Sequence, residues 1–208
     1  MRNKTFISSM VGIAAAVAVA GSANAGVVDP FTTDQTAVGT TLASPAPFIS
    51  ITGGLFNQRQ LARVGTGSGS IGSTFANFVP KGIFMVYQQA GGSTIDLSSI
   101  ASMSFDLTRG AASFNIGWNF YDATGLQSTL ELTAPSAGTI TTSATDPARV
   151  TDAGFNWGSI TQMEMQFIGG FSSSTAGLSN FNYTAVPAPG ALALLGVAGL
   201  AGGRRRRA

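Results

Sequence analysis

The chain has 208 residues, a formal charge of +2, only 10% charged residues, and neither cysteine nor histidine. Lacking both, it has no disulfides, no thiolate or imidazole metal sites and no Ser-His-Asp or Cys-His nucleophile system. Most of the basic residues sit at the two ends, so residues 26–185 carry five basic against nine acidic groups, a net of −4. That middle region offers no clustered basic face of the kind nucleic acid requires.

Residues 1–25 read as a secretory signal peptide. Arg2 and Lys4 give a positive start, and an apolar run from Met10 to Ala20 follows. Ala23-Asn24-Ala25 then places small residues at both positions a signal peptidase inspects, which predicts cleavage before Gly26. The run is too short for a spanning anchor.

Residues 26–185 form one domain by length. This stretch is rich in Gly, Ser, Thr and Phe, and its apolar residues alternate with polar ones. Met103, Phe105 and Leu107 alternate with Ser104, Asp106 and Thr108. Phe114, Ile116, Trp118 and Phe120 alternate with Asn115, Gly117, Asn119 and Tyr121, and Met163, Met165 and Phe167 with Gln162, Glu164 and Gln166. A period of two with one apolar face marks antiparallel strands buried on one side. Further strands are expected at 48–52, 82–87, 128–133, 138–143 and 178–185, with one short helical turn within 93–102. Gly91-Gly92, residues 122–125 and 135–138, and Gly169-Gly170 punctuate them as turns. The expected fold class is all-β, a single antiparallel β-sandwich. The strand pair at 102–108 and 113–121, the late strand at 161–168 and the closing strand after Gly177-Leu178-Ser179-Asn180 resemble jelly-roll domains of the carbohydrate-binding-module or galactose-binding type. That resemblance lies in pattern, without a diagnostic motif.

Candidate chemistry in the body is sparse. The run Gly65-Thr66-Gly67-Ser68-Gly69-Ser70 lacks the Gly-Lys-Ser/Thr ending of a phosphate loop and is expected to be a surface loop. Carboxylates are the only acid–base groups: Asp96, Asp106, Asp122, Glu131, Asp146, Asp152 and Glu164. Sequence places no two of them as a glycosidase pair. No cofactor is expected beyond a structural calcium ion, for which no Asp-x-Asp or EF-hand spacing names ligands. Trp118 falls in phase with the core. Trp157 and Tyr121 are the candidate ligand-binding aromatics, since neither is committed to the interior by phase alone.

The last 23 residues, 186–208, have three parts. Val186-Pro187-Ala188-Pro189-Gly190 comes first, an uncharged small-residue run continues to Gly203, and Arg204, Arg205, Arg206 and Arg207 follow. The run is shorter than the ~20 residues of a spanning helix, and the arginines belong on the cytoplasmic side of a membrane. This tail resembles the PEP-CTERM sorting signal of Gram-negative bacteria, in a Val-Pro-Ala-Pro-Gly variant where the usual central Glu is Ala188. The resemblance implies export, transient membrane attachment through a C-terminal apolar helix, processing by an exosortase-type transpeptidase, and a place in the cell envelope or a biofilm exopolysaccharide matrix. The sequence thus points to an exported, non-catalytic surface or matrix protein that binds polysaccharide and not nucleic acid. The alternative is a secreted carboxylate-dependent glycan hydrolase or lyase.

Overall fold

The computed structural model describes residues 25–37, 47–63, 68–72, 75–79, 82–109, 114–169 and 175–186, all within the compact unit Ala23–Pro187. The signal-peptide residues up to Asn24 and the sorting residues from Pro187 onward lie outside the described residues. No helix among the described residues is long and apolar enough to cross a membrane.

In chain order the strands are β1 (Ala25–Asp29), β2 (Gln35–Thr36), β3 (Ile49–Ser50), β4 (Gln58–Arg63), β5 (Ser68–Gly72), β6 (Phe75–Val79), β7 (Ile83–Gln88), β8 (Ile100–Arg109), β9 (Asn115–Asp122), β10 (Gln127–Thr133), β11 (Gly138–Thr142), β12 (Val150–Thr151), β13 (Ile160–Ile168) and β14 (Ala176–Ala185). They form two seven-stranded sheets. The first runs β11-β8-β14-β6-β5-β2, with β1 also paired to β14, and the second runs β12-β10-β9-β13-β7-β4-β3. Their pairings are antiparallel throughout.

The alternating residues build the interior as their phase requires. Met103, Phe105 and Leu107 of β8, Ile116, Trp118 and Phe120 of β9, and Met163, Met165 and Phe167 of β13 are all buried in one cluster. Phe181 of β14 joins the sheets, its ring lying 5.6 Å from Trp118, 5.9 Å from Phe105 and 6.0 Å from Tyr87. Edge-to-face contacts of this kind add to the area buried. The chain is an all-β sandwich.

Two local expectations are corrected. The helical turn lies at Ala90–Gly92, ahead of 93–102, with Gly91 and Gly92 in the left-handed region at φ 72° and 71°; a second short turn is Trp157–Ser159. Residues 68–70 of the Gly-rich run are strand, because β5 is held between β2 and β6 and needs no large side chains for its ladder. The polar β4 is also a strand. Its Arg59 points into the sandwich because Asp29 of β1 is there to receive it. Gln35 and the Thr33 carbonyl accept further hydrogen bonds from Arg59, and Tyr87 donates to Asp29 at 2.9 Å. Burial, then the Asp29 charge, hold the Tyr87 hydroxyl well above its ordinary range.

Candidate binding groove on the second sheet

With the apolar alternates turned inward, the other half of β10, β9 and β13 faces outward. Pairing sets these residues in rows across three neighbouring strands. One row is Glu131–Gly117–Gln166, and the next is Thr129–Asn119–Glu164. Beyond them lie Thr133–Asn115–Ile168 on one side and Gln127–Tyr121–Gln162 on the other. Gly117 is the one position on the middle strand's outer face without a side chain. A notch of about 170 Å³ opens there, lined by Asn115, Gly117, Asn119, Thr129, Glu131, Gln166 and Ile168.

The groove's polar groups are held by each other. Asn115 donates from Nδ2 to Glu131 Oε1 at 3.0 Å. The Tyr121 hydroxyl donates to Glu164 Oε2 at 3.3 Å. Gln166 donates from Nε2 to Glu164 Oε1 at 2.9 Å. Burial raises the Glu164 carboxyl above its ordinary value, partly offset by the Gln166 and Tyr121 hydrogen bonds. Burial also raises Tyr121, with the Glu164 charge adding to it. One atom is left over: Asn119 Oδ1 is buried and has no hydrogen-bond partner among the described residues. Buried polar atoms are rarely left this way.

The two aromatics singled out from sequence fall in different places. Tyr121 stands at the edge of the groove network. Trp157 is half-buried in a separate slit of about 20 Å³, lined by Leu97, Ile100, Met103, Phe120 and Arg149 among others. Its ring meets Phe120 and Phe155 edge-on, each at 5.0 Å. The Arg149 guanidinium lies 5.8 Å from Trp157 and 5.2 Å from Phe120, and donates to the carbonyls of Trp118, Ser128 and Ser143. Burial lowers Arg149 to about 10, against the pull of Asp146. Trp157 is therefore part of a packed corner.

The remaining carboxylates serve turns. Asp122 accepts from the backbone of Thr124, Leu126 and Asn156, Asp96 from Ser98, Asp146 from Ala148 and Asp152 from Gln127. Asp106 accepts from Thr139 and Asn180. Among the described residues no group of three or more acidic side chains stands close enough to hold a metal ion. At the chain ends, Ala25 pairs with Thr184 and Gly26 with Tyr183, and the Val186 amide donates to the Ser99 carbonyl at 2.7 Å.

Sequence reading missed Asn119 and Gln166 as site residues, and gave Glu131 only as one carboxylate among seven. Their only signal was an unusual run of amides at polar alternates, with a glycine in their midst.

No family model matches the chain, and no curated protein does. Solved structures do match in outline. CtCBM11 aligns at a TM-score of 0.45 and 14% identity, over 80% of this chain and 98% of its own. A family 30 carbohydrate-binding module aligns at 0.40 and 12%, over 79% and 89%. The agarase AgWH50C aligns at 0.43 and 12%, over 79% of this chain but only 25% of the agarase. At such scores the likeness carries no weight for function.

Proposed function

We propose that this chain is an exported, non-catalytic surface or matrix protein whose jelly-roll-like sandwich binds polysaccharide in the groove over Gly117. The observation that carries the reading is the notch itself. It combines a missing side chain on the middle strand, amides and carboxylates fixed by mutual hydrogen bonds, an orphan acceptor, and an aromatic residue beside it. Sugars present hydroxyls in fixed directions, and a preorganised polar groove loses little entropy on meeting them. The signal peptide before Gly26 and the tail from Val186 supply export and sorting in this reading, with an exosortase-type enzyme as the processing partner.

The whole chain should bind immobilised glycans, and Gly117→Phe, which fills the notch, should abolish that binding without lowering the melting temperature by more than a few degrees. Undiminished binding by Gly117→Phe would remove the groove from consideration. The second reading, a glycan hydrolase or lyase, has one observation in its favour: Glu164 is raised by burial, as a general acid is. Both its oxygens are already engaged by Tyr121 and Gln166, which weighs against it. New reducing or unsaturated ends released by the chain, and lost in Glu164→Gln, would select that reading instead.

A further inference from the structure

We infer that the groove selects polysaccharides whose units carry protonated amines, that is, de-N-acetylated amino sugars; the inference rests on the polysaccharide-binding reading above.

The groove's side chains bond one another, and Asn115 Oδ1 also accepts from the Ala134 amide at 3.3 Å. Asn115 donates to Glu131, Tyr121 to Glu164, and Gln166 to Glu164. Acceptor capacity remains at two places. Asn119 is 6% exposed and its Oδ1 is unpartnered. Among the described residues Asn115 supplies the only side-chain hydrogen bond to Glu131, and it occupies Oε1 alone.

Charge points the same way. Glu131 and Glu164 stand one strand to either side of β9, and β7, β9, β10 and β13 contain no Lys or Arg. An incoming uronate or sulfate would meet two carboxylates and, on these four strands, no counter-charge. An ammonium group brings three donors and no acceptor, and its positive charge suits the two carboxylates of this groove. Its hydrogen bonds to a carboxylate are roughly twice as strong as neutral ones. A notch of about 170 Å³ takes one such unit at a time.

The test titrates the full-length chain calorimetrically with four probes: a glucosamine tetrasaccharide, its fully N-acetylated form, a neutral glucan tetrasaccharide and a tetralysine peptide. The glucosamine oligomer should bind about tenfold more tightly than the N-acetylated and neutral ones at low salt, and the gap should narrow as salt rises. Glu131→Gln, a change at an exposed position that leaves the fold intact by circular dichroism, should remove most of that preference. Equal or better binding of the N-acetylated or neutral oligomer would overturn the amine selection and leave polysaccharide binding standing. Binding of none of the saccharides would take down both. A tetralysine affinity matching that of the glucosamine oligomer would overturn the sugar class, because charge alone would then account for the contact.

Discussion

Arg59 and Asp29, thirty residues apart in the chain, form an ion pair at 2.5 Å with both side chains entirely out of solvent. The pair ties the first strand of the body to β4, across from one sheet to the other. Asp29 holds more than the guanidinium. It accepts from the Phe31 amide at 2.8 Å and from the Tyr87 hydroxyl at 2.9 Å. Removing it leaves a buried cation without its counter-charge, the Phe31 amide without its acceptor, and Tyr87 with only the Met85 sulfur at 3.7 Å.

Asp29→Ala should therefore lose about 3–5 kcal/mol, the range for breaking one side of a buried pair. Against a typical domain stability of about 5–15 kcal/mol, that is a large fraction. Urea denaturation of the variant measures it. The double variant Asp29→Leu with Arg59→Met should recover part of the loss, because it replaces charges with apolar surface instead of orphaning one.

The interior makes a second expectation. Ile116 and Phe167 sit opposite each other in the β13–β9 register and neither is exposed at all. Phe167→Ala should cost about 3–5 kcal/mol through lost burial and the cavity left behind. Ile116→Asp should not fold, since no cation faces it to receive the charge. A cooperative thermal melt of soluble Ile116→Asp would show that the inner face has been misassigned.

These residues also mark how far the sequence could be read. Met103, Phe105, Ile116, Trp118, Met165 and Phe167 announce their side of the sheet by alternation alone, because each faces only core. Arg59 could not be placed that way: its inward position depends on Asp29 arriving from a distant strand. Phe84 and Val86 blur β7 in the same manner, being apolar on its outer face and nearly buried with Ala62 against Phe48. The groove was less legible still. Glu131, Gly117 and Gln166 become one row only through the register of three strands, and a polar alternate in sequence looks alike whether it is merely solvated or lines a notch.

Stability should fall as pH rises past the ordinary carboxylate range, through Glu164. Its folded value is raised by burial above that of the unfolded chain, so between the two values the native state holds more protons than the unfolded one. The slope of unfolding free energy with pH is then negative. The penalty is absent well below the unfolded value and fully present above the folded one. Glu164→Gln should flatten this part of the curve, measured as melting temperature against pH from about 4 upward. Asp96, Asp106 and Asp122 are lowered and pull the other way in the same range, so equal slopes in the wild type and Glu164→Gln would contradict the assignment of Glu164 as the desolvated group.

Trp157 and Tyr121 should separate when each is truncated. Trp157 touches Phe120, Phe155 and the Arg149 guanidinium, contacts within the packed corner and remote from the Gly117 notch. Trp157→Ala removes two edge-on ring contacts and one cation–π contact, together about 1–3 kcal/mol. It should lower the melting temperature by several degrees while leaving glycan affinity unchanged. Tyr121 donates its hydroxyl to the Glu164 carboxylate at the edge of the groove. Tyr121→Phe keeps the ring but removes that donor, leaving Glu164 with Gln166 as its remaining side-chain partner. Glycan affinity should drop by about tenfold, equivalent to one lost hydrogen bond to a charged group, and melting should shift less than in Trp157→Ala. If Trp157→Ala weakens glycan binding and Tyr121→Phe does not, the binding surface lies at the Arg149 corner and the groove over Gly117 is only a dent in the sheet.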